Sequence, residues 1–181
     1  MDEARVVQLI RRGEINAFDQ IVATYEIPLV RYLARLTGNT EIARDLTQKT
    51  FLQAYKGILK TRAELSLKAW LYRIATNNAL QHKRRRLLLN IIPFSRLGIT
   101  TARKLTAPAA ATEEQLDIQD ALRTVPFDQR KCMVLHFVEG FRYREIAEIV
   151  GISEEAVRKR VARGSKRFRN EYLLGSEGAG N

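Results

Sequence analysis

The chain has 181 residues, of which 45% are hydrophobic, and a formal net charge of +11. This length fits one or two small domains with packed cores. No apolar run approaches the roughly 20 residues of a membrane span, and the N-terminus lacks the apolar core of a signal peptide. We therefore expect a soluble, cytoplasmic protein without membrane insertion. The basic excess favours a polyanionic partner. Nucleic acid is the leading candidate for this partner, and an acidic protein or a membrane surface are the alternatives.

The first part of the chain repeats apolar residues at helical spacing. A short amphipathic helix covers Val6–Ile10. Asn16 is a candidate N-cap for a second pattern that continues to Gly38, and Pro28 inside this pattern predicts a kink or a break. Thr40 begins a third helix. Strand-like alternation is nowhere sustained in the sequence, which predicts an all-α fold.

A polar segment, residues 57–66, follows the third helix and is expected to be a loop. Ser66 is placed to cap a fourth helix, which runs into the basic residues Lys83–Arg86. The sequence has no acidic residue between Glu64 and Glu113. We interpret this acid-free interval as a region that faces a polyanion.

The helical period is lost near residue 87 and returns near residue 113. The stretch between them contains two prolines, one glycine and many small residues, which is typical of a linker. We expect two small helical domains, residues 1–88 and 113–174, joined by a flexible linker at 89–112 and followed by a disordered tail at 175–181. The apolar start of the linker, residues 87–94, either extends the fourth helix or lies against a partner.

The stretch at 140–170 has a distinct local pattern. Two short helical patterns meet at Gly151, and Ser153 is placed to cap the second helix. Val157 and Val161 form the inner face of that helix, and its outer face is basic. This combination is typical of a helix-turn-helix, whose second helix enters the major groove of DNA. The alternative is an amphipathic helical hairpin with a solvated basic face.

Residues with catalytic or metal-binding chemistry are few. The single cysteine, Cys132, lies in an apolar helical run and is interpreted as a packing residue. His82 and His136 are not at metal-ligand spacing with each other or with Cys132. The sequence contains no glycine loop for phosphate binding and no arguable pair of nucleophile and base. We expect no enzymatic activity, no metal site and no cofactor.

Three blocks of the chain carry a family resemblance. Residues 43–51 read ARDLTQKTF, residues 70–77 read WLYRIATN, and residues 125–169 include EGFRYREIAEIVGIS and VRKRVAR. Together and in this order, they resemble the extracytoplasmic-function sigma factors, the smallest promoter-recognition subunits of the bacterial sigma-70 family. The resemblance spans roughly residues 5–170, interrupted by the linker.

The first block, by this resemblance, docks onto the coiled coil of the polymerase clamp. Asp45, Gln48 and Phe51 lie about one turn apart and share a helix face, which suits a docking patch. Phe51 is alternatively a core residue. The predicted clamp-binding residues are Asp45, Gln48, Lys49 and Phe51.

The resemblance implies that the second block melts and reads the −10 promoter element. Asn77 matches the position from which the family contacts a flipped base, and an amide can read both donors and acceptors on a base edge. Trp70 is alternatively a core residue. The predicted −10 residues are Thr61, Arg62, Trp70, Arg73, Asn77, Asn78, Gln81 and Arg84.

The third block, by the same resemblance, reads the −35 element as duplex DNA. The family also uses an apolar surface of this domain to hold the polymerase flap tip. The predicted −35 residues are Arg142, Arg144, Arg158, Lys159, Arg160, Arg163, Lys166 and Arg167.

The implied function is that of an alternative sigma factor, which binds core RNA polymerase and promotes promoter opening. Its implied partners are the polymerase clamp and flap, promoter DNA in duplex and single-stranded form, and an anti-sigma factor. The alternative is a two-domain helix-turn-helix regulator that acts without being a polymerase subunit. A recombinase would need a nucleophile or a metal cluster, and the sequence presents neither.

Overall fold

The computed structural model describes residues 2–59, 66–91 and 113–178, and its regular structure there is helical without strands. This confirms the all-α fold class. The helices in these ranges are α1 (Glu3–Arg11), α2 (Phe18–Thr37), α3 (Thr40–Gly57), α4 (Leu67–Ile91), α5 (Glu113–Thr124), α6 (Phe127–Phe137), α7 (Tyr143–Val150) and α8 (Glu154–Gly178).

Side-chain caps begin α3 and α4 where the sequence predicts. The Asn39 side chain accepts a hydrogen bond of 2.9 Å from the Ile42 N–H, and α3 begins at Thr40. The Ser66 hydroxyl accepts one of 3.2 Å from the Ala69 N–H at the start of α4. Each cap satisfies an N–H that has no carbonyl partner within its own helix.

The start of α2 differs from the prediction. Asn16 lies in a short 3-10 turn, Ile15–Ala17, and provides no side-chain cap. Ala17 is the residue that precedes α2, and it makes no side-chain hydrogen bond to the helix. The Asn16 cap is therefore wrong, because the turn brings the chain into α2 without one.

The helix α2 also continues without a break through Pro28. Leu29, Tyr32 and Leu33, which follow the proline, are fully buried. A proline removes one backbone hydrogen bond, whereas each large apolar side chain contributes about 1.5–3 kcal/mol on burial. The apolar face thus outweighs the local preference. Of the predicted kink or break, the break is wrong and the kink stays a prediction.

Helices α1 to α4 form the N-terminal bundle. Tyr32 on α2 and Tyr72 on α4 lie at its centre, with ring centroids 5.0 Å apart. The Tyr32 hydroxyl shares a hydrogen bond of 2.7 Å with the Thr76 hydroxyl, which gives the buried tyrosine hydroxyl a partner. Thr76 also donates to the Tyr72 carbonyl at 2.6 Å.

Helices α5 to α8 form the C-terminal bundle. Leu135, Ile146 and Val157 are fully buried between α6, α7 and α8. Gly164 allows α8 to approach α6 closely, because a Cβ at this position would lie 3.3 Å from the Cβ of Gln129. The helix-turn-helix pair, α7 and α8, is therefore held on a compact support.

Two helix ends extend past the predicted segment boundaries. The helix α4 reaches Ile91, so the apolar run after residue 86 begins as a helical extension with exposed side chains at Leu87–Leu89. The helix α8 reaches Gly178, so residues 175–178 are helical rather than disordered. The expected linker beyond residue 91, and residues 179–181, lie outside the described ranges.

The two bundles pack against each other across an interface that we call the seam. On the α2 side, Arg130 Nη1 donates to the Leu36 carbonyl at 3.3 Å. On the α4 side, Lys68 Nζ donates to the Glu139 carbonyl at 2.7 Å, and the Tyr72 hydroxyl donates to Glu139 Oε2 at 2.5 Å. Both bundles thus supply polar groups to one continuous contact.

Candidate functional site

One face of α4 is polar and open to solvent. Arg73, Asn77, Gln81 and Arg84 are all exposed. Their spacing of four, four and three residues places them along one side of the helix. We call this set the α4 stripe, and it contains half of the residues predicted to bind −10 DNA.

Asn78, which was also predicted to bind DNA, is buried and serves the fold. Its side-chain amide donates to the Thr50 hydroxyl at 3.1 Å and to the Gln53 amide oxygen at 3.0 Å. Only 1% of Asn78 is exposed. The prediction for Asn78 is wrong, because this side chain points from α4 into α3 and uses both amide protons there.

Trp70 is half-buried and packs against the core. A Cβ added at Gly57 would lie 3.3 Å from the Trp70 ring, so the ring covers the end of α3. This supports the core interpretation of Trp70. Thr61 and Arg62 lie outside the described residues, and their DNA contacts stay predictions.

An open cleft of about 960 Å³ lies between α2 and α3. Asp45, Gln48 and Phe51 all line it, which confirms that they share one face. Phe51 is buried and meets Phe18 edge-on, with ring centroids 6.4 Å apart. Phe51 therefore forms the floor of the cleft and belongs to the core, while Asp45 and Gln48 stand exposed above it.

The cleft also exposes apolar side chains that the sequence reasoning missed. Ile27, Leu52 and Tyr55 line it and are 61%, 56% and 43% exposed. Leu52 and Tyr55 continue the spacing of Gln48 by four and three residues, so the helical period could have revealed them. Exposed apolar residues in a cleft are typical of a docking site.

Lys49 points away from this cleft. It is absent from the residues that line the cleft, and its ammonium group donates to the Gln81 amide oxygen at 3.5 Å. Lys49 therefore lies on the α4 side of α3, apart from Asp45, Gln48 and Phe51, and its clamp contact stays a prediction.

The connection between α7 and α8 has helix-turn-helix geometry. Gly151 ends α7 with a φ of +72°, in the left-handed region that favours glycine. The Ser153 hydroxyl accepts a hydrogen bond of 3.2 Å from the Ala156 N–H and so caps α8. Val157 and Val161 are buried as predicted.

The outer face of α8 presents five of the six basic residues predicted there. The exposed ones are Arg158, Lys159, Arg163, Lys166 and Arg167. Arg158 pairs with Glu154 at 3.4 Å, and Lys159 with Glu155 at 2.6 Å. Exposed pairs of this kind stabilise a helix by only about 0.3–0.5 kcal/mol. Both cations can therefore exchange these partners for an external anion.

Arg160 is the exception on this helix. It is half-buried, and its charge acts on Cys132 and Asp128 of α6. It is less open to an external anion than the other five, and its DNA contact stays a prediction. Cys132 is fully buried and burial raises the pKa of its thiol, in keeping with a packing role.

Two more arginines stand at the start of α7. Arg142 precedes the helix, and its backbone N–H donates to Glu145 Oε2 at 2.8 Å. Arg144 is 84% exposed and lies 3.7 Å from Glu148. Both side chains are exposed and lie on the same helix-turn-helix unit as the basic face of α8.

An apolar groove of about 480 Å³ runs between α6 and α8. Phe137 and Val138 are 63% and 50% exposed, and both line it together with Phe168 and Leu173. The family resemblance implies an apolar surface on this domain, and these exposed side chains form one. The groove is a second surface suited to a helical partner.

The described residues hold neither a metal-binding cluster nor a membrane-spanning helix. None of their His, Cys, Asp and Glu side chains come together in a group of three or more that could hold a metal ion. None of their helices is long and apolar enough to cross a membrane.

Known proteins match this chain along most of its length. The family model for sigma-70 region 2 matches residues 21–87, and that for sigma-70 region 4 matches residues 115–168. The ECF RNA polymerase sigma factor SigM of Mycobacterium tuberculosis is 32% identical, over 90% of this chain and 80% of its own. The ECF sigma factor SigW of Bacillus subtilis is 26% identical, over 91% and 94%.

A solved structure agrees with these matches. The sigma factor RpoE of Bartonella quintana, in complex with the anti-sigma factor NepR, superposes with a TM-score of 0.68 at 25% identity, over 87% of this chain and 97% of that one. A helical fold with a helix-turn-helix unit and two matching regions defines a promoter-recognition factor. The chain belongs to the ECF sigma factors of the sigma-70 family.

Proposed function

We propose that this alternative sigma factor works through four surfaces: the α4 stripe, the outer face of α8, the α2–α3 cleft and the α6–α8 groove. The observation that carries the proposal is that one chain presents two separate basic faces, and each bundle also presents an exposed apolar cleft or groove. A protein that links duplex DNA to a larger enzyme needs both kinds of surface. We propose that it acts in the cytoplasm and has no catalytic activity of its own.

The α4 stripe is assigned to the non-template strand of the −10 element. Opening DNA requires only that unpaired bases be held, because a captured base shifts the equilibrium away from the duplex. The exposed Asn77 amide offers a donor and an acceptor to a base edge. Arg73 and Arg84, at either end of the stripe, supply positive charge for strand phosphates.

The outer face of α8 is assigned to the major groove of the −35 element. Its exposed arginines and lysines can bind guanine edges or phosphates. On binding, Arg158 and Lys159 would give up their ion pairs with Glu154 and Glu155, and the loss of these exposed pairs would cost little free energy. Arg142 and Arg144 lie at the start of α7, where they would contact the DNA backbone.

The α2–α3 cleft and the α6–α8 groove are assigned to the polymerase clamp and flap. The cleft combines a buried aromatic floor, Phe51, with exposed Leu52 and Tyr55 and the charged rim residue Asp45. An apolar centre inside a polar rim is the usual anatomy of a protein interface.

We also propose control by an anti-sigma factor. The structural relative from Bartonella quintana is bound to one, and the match covers 87% of this chain. The same apolar surfaces that fit polymerase would be covered by such an inhibitor.

The test is run-off transcription with bacterial core polymerase on genomic promoter fragments. The purified chain should direct initiation at defined sites, and core polymerase alone should not. The variant Leu52→Lys tests the cleft, because it places a charge there and should lower the affinity for core polymerase. Duplex binding by the isolated chain is its control and should not change. Tight duplex binding with no initiation on any fragment would instead indicate a regulator that is not a polymerase subunit.

A further inference from the structure

A cavity of about 380 Å³ opens at the seam, and none of the residues that line it belongs to the four surfaces assigned above. Residues from α2 and α4 line one side, and the α5–α6 connection and α6 line the other. Its volume lies within the range of small-molecule sites.

Positive charge dominates the lining of this cavity. Four permanent cations and one histidine line it, and no carboxylate does: His82, Lys83, Arg86, Arg123 and Arg130. Two acids lie near its edge. Asp120 pairs with Arg123 at 2.5 Å, and Asp128 already pairs with Lys131 at 2.7 Å. The lining therefore carries more positive than negative charge, and Asp120 offsets part of the charge of Arg123.

Two effects of this charge are visible on the lining groups. Burial, together with the neighbouring Arg123, lowers the pKa of Arg130. Burial, together with Arg86 and Arg85, lowers the pKa of His82. Like charges held close together in a partly buried space favour an anion that binds between them.

The same side chains include the buried polar atoms that lack partners. Among the described residues these atoms are His82 Nε2 and Arg123 Nε, and both residues line the cavity. Both atoms are closed to solvent, so a ligand would reach them only after the side chains turn. Buried polar groups are rarely left unsatisfied in proteins, and their position here marks the cavity as the part of the seam whose hydrogen bonding is incomplete.

We propose that this cavity binds a small anion with two or more phosphate groups. Phosphate oxygens are strong acceptors for arginine and lysine, and multiple charge is needed to match several cations at once. Because Lys83 and Arg86 come from one bundle and Arg123 and Arg130 from the other, the bound anion bridges the seam and stabilises the packed arrangement of the two bundles.

The test is calorimetric titration of the full-length protein with pyrophosphate at about physiological ionic strength. We expect saturable binding at one site and a rise in the thermal midpoint. Arg86→Gln removes an exposed cation from the lining and should weaken binding about tenfold. Arg85→Gln removes the same charge from the next residue, which does not line the cavity, and should change the affinity less than twofold.

Two results would overturn the proposal. Equal weakening by the two substitutions would mean that pyrophosphate responds only to overall charge. Displacement of pyrophosphate by a short duplex of random sequence would mean that the cations serve the DNA backbone instead. Neither measurement contains polymerase, so failure here is separate from failure of the proposed function, which run-off transcription tests.

Discussion

Two neighbouring asparagines on α4 have opposite surroundings, although they are the same residue type. Asn77 is exposed on the α4 stripe, whereas Asn78 is buried and bonded to Thr50 and Gln53 on α3. One residue of a helix corresponds to a rotation of about 100°, and this rotation separates a DNA-facing position from a packing position.

Asn78→Ala should destabilise the fold. The substitution leaves Thr50, which is fully buried, without one of its hydrogen bonds, and a loss of about 1–3 kcal/mol in the free energy of unfolding is expected. Urea denaturation followed by circular dichroism measures it. Asn77→Ala is the matched control and should change the free energy of unfolding by less than about 0.5 kcal/mol. Similar losses for both would refute the distinction.

Asn77→Ala should instead impair promoter opening. If the Asn77 amide holds an unpaired base, the variant forms closed complexes with near-normal affinity but opens them poorly. Permanganate reactivity of unpaired thymines reports opening, and binding at low temperature reports the closed complex. An equal loss at both steps would show that Asn77 contributes to general DNA affinity rather than to base capture.

The sequence partly predicts that Asn77 is exposed and Asn78 is buried. Leu71, Ala75 and Asn78 follow each other by four and three residues, and the first two are apolar and buried. The helical period therefore predicts that Asn78 lies on the inner face of α4, but its polar side chain suggested a DNA-binding role. The partners that make a buried amide acceptable, Thr50 and Gln53, come from another helix, and no local pattern reveals them.

At the scale of elements, the helix-turn-helix was the most predictable part. Its turn glycine, its serine cap and its two buried valines all agree with the sequence pattern. In contrast, the break predicted at Pro28 does not occur, because the packing of Leu29, Tyr32 and Leu33 holds α2 together. The Asn16 cap and the ends of α4 and α8 also differ from the prediction, so local chemistry predicts the turn glycine and the serine caps better than it predicts where a helix ends.

Gly151→Ala should weaken the helix-turn-helix. The φ of +72° costs an L-residue about 1–2 kcal/mol. No atom lies within 4 Å of a Cβ built there, so the cost is purely that of the backbone. We expect a lower thermal midpoint and weaker −35 duplex binding. Gly151→Asn, which tolerates this conformation better, should lose less; the same loss for Asn and Ala would contradict a backbone origin.

At the scale of the whole molecule, the seam and the proposed working surfaces use different residues. The α4 stripe begins at Arg73, while the adjacent Tyr72 turns toward Glu139 in the C-terminal bundle. The packed arrangement therefore leaves the side chains of the α4 stripe exposed and fixes the distance between α4 and α8.

Tyr72→Phe should open the seam. It removes the hydroxyl that donates to Glu139 while keeping the ring, and it leaves a partly buried carboxylate with one fewer donor. Cysteines introduced at the exposed positions Gln20 and Asn170 carry a fluorophore pair, and the fully buried Cys132 stays unlabelled. Energy transfer should fall in this variant. Tyr32→Phe removes a hydroxyl within the N-terminal bundle and should lower stability without opening the seam.

The pH dependence of the same signal tests the role of Glu139. Burial raises the pKa of Glu139, against the opposing effects of the Tyr72 hydrogen bond and the nearby charges of Arg35 and Lys68. A carboxyl whose pKa is raised in the packed state favours that state at low pH and disfavours it as pH rises through the raised pKa. Energy transfer should therefore increase as pH falls toward the ordinary glutamate range. In Tyr72→Phe the increase should occur at higher pH, because a group that lowers the pKa of Glu139 is gone; an unchanged titration in this variant would separate Glu139 from the seam.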